Sequence, residues 1–132
     1  MRSVALLGST GSIGRSTLEV IAAAPDRLRV EGLAAGRNLD LLIEQVNRFS
    51  PRLVAVADEG AVAAVKAAVP KGVVVAGGPS ALQEVATLPD ADVVVVAVVG
   101  IAGLLPTLAA ARAGKRIALA TKEVLVAGGD LV

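Results

Sequence analysis

Three glycines at three-residue spacing, Gly8, Gly11 and Gly14, directly follow the apolar run Val4-Ala5-Leu6-Leu7. An apolar strand, then Gly8-Ser9-Thr10-Gly11-Ser12-Ile13-Gly14, then an amphipathic helix is the layout of a phosphate-cradling turn. Such a turn exposes backbone N–H groups at the positive end of a helix, and dinucleotides are the leading ligands that need it. Gly8 suits the tight turn, Gly11 lets backbone approach a pyrophosphate, and Gly14 lets the helix pack close to its strand. Ser9, Thr10 and Ser12 add hydroxyl donors beside the helix start. The spacing is G-x-x-G-x-x-G rather than G-x-G-x-x-G, so the glycines count only together with their strand and helix.

A second polar group stands at the end of the next apolar run, in Ala34-Ala35-Gly36-Arg37-Asn38. An NAD site is expected to place Asp or Glu here, on the ribose hydroxyls. Instead Glu31 lies mid-strand, and the tip carries Arg37 and Asn38. A guanidinium matches a 2′-phosphate, which favours NADP over NAD. The plainer alternative is that Arg37 is a solvated surface charge and Asn38 only caps a helix.

Two further groups fall at the same edge of the expected sheet. Gly100-Ile101-Ala102-Gly103 offers either backbone approach to the nicotinamide-side ribose or close packing of the helix that follows. Thr121-Lys122-Glu123 follows the last apolar run. Lys122 could bind a substrate oxygen or phosphate as a point charge. The alternative is a solvated Lys–Glu pair at a helix start.

The elements that must position these groups alternate. Strands are expected over residues 3–7, 28–35, 53–56, 73–76, 93–98 and 116–120, each followed by a helical pattern. Leu39, Leu42, Ile43, Val46 and Phe49 form one helical stripe, preceded by Asn38 as N-cap. Ser80-Ala81-Leu82-Gln83 reads as a capping box. A third helix carries Leu104, Leu105 and Leu108 and ends at Gly114 as C-cap. This rhythm requires right-handed crossovers and a parallel sheet. The expected class is α/β, a doubly wound parallel sheet forming one Rossmann-like NADP-binding domain. Named by first residue, the strand order is Val73, Leu53, Leu28, Ser3, Val93, Arg116. The order reverses between the strands at Ser3 and Val93, and a ligand belongs outside the carboxyl edge at that point.

Composition agrees. The chain has 132 residues, 55% hydrophobic, with Phe49 its one aromatic residue, so Val, Leu, Ile and Ala must build the core. A net charge of +1 gives no general attraction to nucleic acid or membrane. Without Cys or His, disulfides, thiol nucleophiles, His-based triads and ordinary zinc sites are excluded within these residues. No apolar run approaches the roughly 18 residues of a membrane span. Met1-Arg2-Ser3 leads straight into a strand without a signal peptide, so a soluble cytoplasmic protein is expected. The apolar stretch after Glu123 would need a partner to bury it, so the chain is expected to be truncated, or at least built to meet something else.

Leu7-Gly8-Ser9-Thr10-Gly11-Ser12-Ile13-Gly14, Ala35-Gly36-Arg37-Asn38, Phe49-Ser50-Pro51, Val99-Gly100-Ile101-Ala102-Gly103-Leu104-Leu105-Pro106-Thr107 and Ala120-Thr121-Lys122-Glu123 together resemble the 1-deoxy-D-xylulose-5-phosphate reductoisomerase family. The glycine turn is shared with other dehydrogenases, while residues 100–107 followed by Lys122-Glu123 are more specific. The resemblance implies rearrangement of 1-deoxy-D-xylulose 5-phosphate and reduction by NADPH to 2-C-methyl-D-erythritol 4-phosphate, in the non-mevalonate isoprenoid pathway. The resemblance also implies that a divalent metal, Mn²⁺ or Mg²⁺, polarises the substrate oxygens. The same resemblance implies that Thr10, Gly11, Ser12 and Ile13, beside Gly8, hold the NADPH pyrophosphate region, and that Gly36, Arg37 and Asn38 hold the 2′-phosphate end. The family often has Lys at the position of Arg37. Lys122 is implied to touch substrate and Glu123 the cofactor, whereas Thr121 departs from the expected Asn at another cofactor contact. A homodimer of the full-length protein is also implied. The family's metal-binding and substrate-phosphate residues lie beyond Val132. The chain therefore resembles the amino-terminal NADPH-binding domain, with neither catalytic nor metal-binding residues of its own.

Two rivals stand beside this. One is the cofactor domain of another NADP-dependent dehydrogenase, such as a semialdehyde dehydrogenase, whose catalytic cysteine would have to lie elsewhere. The other is a stand-alone NADPH-binding or sensing module.

Overall fold

A computed structural model describes residues 2–78, 80–98 and 104–119. Six strands form one sheet: β1 (Arg2–Leu7), β2 (Leu28–Ala35), β3 (Leu53–Val56), β4 (Val74–Gly77), β5 (Val93–Val96) and β6 (Arg116–Leu119). Every pairing is parallel, in the order β4-β3-β2-β1-β5-β6. This is the order expected from the alternating pattern, with its reversal between β1 and β5.

Between the strands lie α1 (Ser12–Ala22), α2 (Leu39–Phe49), α3 (Val62–Ala68), α4 (Ala81–Ala86) and α5 (Leu104–Arg112). The sheet separates two cores. On one face Leu18 and Ile21 of α1, Leu42 and Val46 of α2 and Val65 of α3 pack on Leu6, Leu33 and Val54. On the other, Ala81 and Val85 of α4 and Ala110 of α5 pack on Ala5, Leu7, Ala34 and Val94. Successive side chains of a strand point to opposite faces, so near-continuous apolar strands serve both cores.

Several element ends differ from expectation. β4 begins one residue late, because the Val73 N–H donates to Pro70 O (3.1 Å) inside a turn and the ladder starts with Val74 N–H to Arg52 O (3.0 Å). β5 stops at Val96 because its partner β1 ends at Leu7, where Gly8 turns away with φ +90°. β1 gains Arg2, and β6 is described over Arg116–Leu119, the last position of its expected span, Ala120, lying outside the described residues. Ser80 does precede α4, but its backbone is helical (φ −87°, ψ −7°) and its side chain makes no cap bond. A capping box needs an extended N-cap residue, so that expectation fails.

Helix ends follow local chemistry. The Asn38 side chain accepts the Leu41 N–H (3.2 Å), as expected of an N-cap. α2 ends where Ser50 takes the left-handed conformation (φ 50°), with Pro51 next. After α5 the Gly114 N–H donates to Ala111 O and the Lys115 N–H to Ala110 O, with Gly114 at φ +76°. That is a Schellman motif, and Gly114 supplies its left-handed residue. The leucine stripe of α5 does not face the core. Leu104, Leu105 and Leu108 are 55%, 60% and 43% exposed, while Pro106 and Ala110 are buried. The helix meets the sheet through its small residues.

Candidate functional site

The carboxyl ends of β1, β2 and β5 meet where the strand order reverses, and the glycine turn rises there. The Gly8 and Ser9 N–H groups both donate to Ala34 O (2.8 and 3.0 Å), which ties the turn to the end of β2. The Gly11 N–H donates to Gly8 O (3.3 Å), and Arg15 N–H to Gly11 O (2.9 Å) begins the helical ladder of α1. Gly11 is the N-cap, extended at φ −75° and ψ 170°, and no side chain caps this helix. The N–H groups of Ser12, Ile13 and Gly14, in the first turn, have no acceptor one turn earlier, as at any helix start. Gly11, Ser12 and Ile13 are exposed and Thr10 is half-buried.

The three glycines differ in what the fold demands of them. A Cβ on Gly8 would lie 2.8 Å from the Ala97 backbone, at a positive φ, and one on Gly14 would lie 2.0 Å from Gly8 O. Those two are required by the protein itself. A Cβ on Gly11 would meet only Gly8 O at 3.7 Å, an ordinary contact. Nothing in the described protein needs Gly11 to be small, so the space beside it is open to a ligand. Gly36 is similar, with nothing within 4 Å of its would-be Cβ.

Gly36, Arg37 and Asn38 are exposed at the tip of β2, beside the turn. Arg37 makes no ion pair among the described residues. Because Asn38 Oδ1 is engaged by the cap, its Nδ2 remains the group it can offer outward. Glu31 stands apart from this edge. It is the extra residue of a bulge, where the β1 partner jumps from Val30 to Gly32, and it is 1% exposed and paired with Arg29 at 2.7 Å. A carboxylate so placed cannot reach a ribose at the carboxyl edge.

The structure corrects one expectation and adds a residue. Ser9 is fully buried, so its hydroxyl is not a donor to an external phosphate. Its carbonyl instead accepts Gln45 Nε2 of α2 at 2.9 Å. The signal in the sequence was a polar residue at the third step of an apolar stripe, between Leu42 and Val46. A groove of about 880 Å³ runs between α1 and α2, with Ser12 at one end, crossed by the Arg48–Glu19 pair at 2.8 Å. It lies along the helices rather than at the strand ends.

Among the described residues no three Asp, Glu, His or Cys gather as a metal site, and no helix is long and apolar enough to cross a membrane. Gly100 to Gly103, Thr121, Lys122 and Glu123 lie outside the described residues.

Comparison with known proteins agrees with this geometry. The family model described as 1-deoxy-D-xylulose 5-phosphate reductoisomerase matches residues 4–129. The reductoisomerase of Cyanothece sp. is 54% identical over 136 residues, covering 100% of this chain and 35% of the relative. That of Methylococcus capsulatus is 52% identical, covering 99% of this chain and 34% of the relative. The chain thus spans about a third of the length of the relatives it matches. The Zymomonas mobilis enzyme, solved in complex with NADPH, superposes with a TM-score of 0.85 at 43% identity, over 98% of this chain and 34% of that one. A reductoisomerase in complex with NADPH, fosmidomycin and magnesium gives 0.86 at 40% identity, over 96% of this chain and 31% of that one. With one family model spanning nearly every residue and the same doubly wound sheet beneath it, this chain belongs to the 1-deoxy-D-xylulose 5-phosphate reductoisomerase family.

Proposed function

We propose that this chain is the NADPH-holding part of a reductoisomerase that rearranges and reduces 1-deoxy-D-xylulose 5-phosphate to 2-C-methyl-D-erythritol 4-phosphate. The observation that carries the reading is the start of α1. It is uncapped by any side chain, and it sits beside a glycine whose smallness the fold does not use. A dinucleotide diphosphate supplies what that arrangement lacks: an anion for the outward N–H groups and the positive helix end. The named complexes of relatives with NADPH support the same choice.

Within this reading Gly8, Thr10, Gly11, Ser12 and Ile13 surround the diphosphate. Gly36 gives room at the adenosine ribose. Arg37 neutralises the 2′-phosphate, and Asn38 caps α2 while offering its amide N–H₂. NADPH, when bound, supplies the hydride for the reduction. The residues described here bind and orient it. Lys122 is assigned to substrate, and Thr121 and Glu123 to cofactor, on the resemblance. On the resemblance, the metal, the catalytic groups and the substrate phosphate are assigned to the remaining two thirds of the relatives' length. The cytoplasmic location and homodimeric assembly go with the family reading and rest on it alone. Identity above 50% across the chain to curated reductoisomerases disfavours a sensor or another dehydrogenase.

The test is a titration of the purified 132-residue chain with NADPH, followed by an assay with metal and 1-deoxy-D-xylulose 5-phosphate. Binding without turnover is expected. Absence of NADPH binding overturns the cofactor reading, and metal-dependent NADPH oxidation by this chain overturns the division of labour.

A further inference from the structure

We propose that Gln45 is a positioning residue for the cofactor, aiming the Thr10 N–H at the diphosphate through the Ser9 carbonyl. The inference rests on the NADPH reading above. Ser9 C=O and Thr10 N–H belong to one planar peptide unit, in which the two bonds point in opposite directions when the bond is trans. No peptide bond in the described chain is cis. Gln45 Nε2 draws the Ser9 carbonyl inward, at 2.9 Å in a buried site. The Thr10 N–H is thereby turned outward.

The neighbouring donors of the turn are already used. Gly8 and Ser9 donate to Ala34 O and Gly11 donates to Gly8 O, whereas Thr10 donates to no acceptor among the described residues. Thr10 is therefore an uncommitted N–H of the turn, ahead of those of Ser12, Ile13 and Gly14 at the helix start, and its direction is set by a side chain 36 residues away. Gln45 is also costly to keep where it is. Its Oε1 and the Ser9 Oγ are both buried without a hydrogen-bond partner among the described residues. A buried polar atom left unpaired opposes folding, so an apolar residue would suit the stripe formed by Leu42 and Val46 better. What offsets that cost is the hold on the turn. The same helix begins at Asn38, next to Arg37, so α2 joins the 2′-phosphate end of the site to the diphosphate end.

The test uses Gln45→Met, which keeps the length of the side chain and removes the donor, and Gln45→Glu, which faces the Ser9 carbonyl with an acceptor. Dissociation constants are measured for NADPH, NADH and 2′-AMP, well below the melting temperature of each protein. NADPH and NADH both carry the diphosphate, and 2′-AMP does not. Affinity for NADPH and NADH should fall together by about tenfold, with their ratio kept and 2′-AMP binding within twofold. Unchanged NADPH affinity in either folded variant overturns the proposal, and so does a parallel loss of 2′-AMP, which marks a general disturbance of α2. Failure of the unaltered protein to bind NADPH overturns the cofactor reading instead. A measurement on the unaltered protein holds even where the variants do not fold: NADPH should slow hydrogen exchange at the Thr10 amide, and an amide left as fast as before overturns the proposal.

Discussion

A Cβ on Gly14 would stand 2.0 Å from the carbonyl oxygen of Gly8, inside the backbone of the turn. The first turn of α1 and the end of β1 therefore touch main chain to main chain, and this contact presents the helix start at the strand edge. Neither partner is a flexible side chain that can swing away. Gly14→Ala should lose about 3 kcal/mol of stability or more, at the upper end of overpacking effects. Thermal melting checks this, and a variant melting within a few degrees of the parent contradicts the contact.

Gly11→Val tests the opposite property. The protein leaves room for a Cβ there and the backbone lies in an ordinary extended region. The variant should fold, with a cost of about 1 kcal/mol for a poorer N-cap. Its added bulk stands in the space assigned to the diphosphate, so NADPH affinity should fall by at least about tenfold, the worth of one charge-assisted hydrogen bond. Calorimetric titration of the folded variant reads the result, and retained affinity moves the diphosphate elsewhere.

Arg37→Ala addresses cofactor choice. Arg37 is exposed and makes no ion pair among the described residues, so its removal should leave the fold alone. Loss of its bond to a 2′-phosphate costs roughly 1.5–3 kcal/mol, and that loss falls on NADPH alone. The ratio of NADPH to NADH dissociation constants is the measurement. An unaltered ratio makes Arg37 a solvated surface charge.

Asn38→Asp separates two roles of one residue. Asp keeps the oxygen that accepts the Leu41 N–H and adds charge at a favourable helix end. Stability should hold or rise by a few tenths of a kcal/mol. The variant loses the outward N–H₂ and places a carboxylate beside the 2′-phosphate, so NADPH should bind more weakly and NADH nearly as before. Parallel melting curves and titrations check both halves, and unchanged NADPH binding leaves Asn38 as a cap only.

Lys115→Met tests a contact far from the site. Lys115 Nζ donates to the Leu88 and Ala91 carbonyls at 2.5 and 2.7 Å, holding the turn between α4 and β5 to the start of β6. Removing a charged donor to half-buried carbonyls should cost about 2 kcal/mol without changing NADPH affinity. Denaturant unfolding measures the first, and titration the second.

The amino-acid sequence alone determined the class of the sheet, the order of its strands and the edge at which the glycine turn lies. Those properties depend on what neighbouring residues do together. Apolar runs alternate with helical stripes, crossovers have one hand, and a glycine-rich turn after β1 can present a helix start only at the carboxyl edge. Asn38 as a cap and Gly114 past the end of α5 were legible for the same reason, since their partners lie within a few residues. Tertiary structure alone decided matters that depend on how elements approach one another. Whether Gly11 is small for the fold or for a ligand depends on the distance from α1 to the turn. The burial of Ser9 and its hold by Gln45 depend on α2 crossing behind the turn. The leucines of α5 carry a core-like pattern, yet they face outward because Ala110 lets the helix lie close on its other side. Periodicity reports that a face is apolar, whereas which face is covered depends on the surfaces the rest of the chain brings to it.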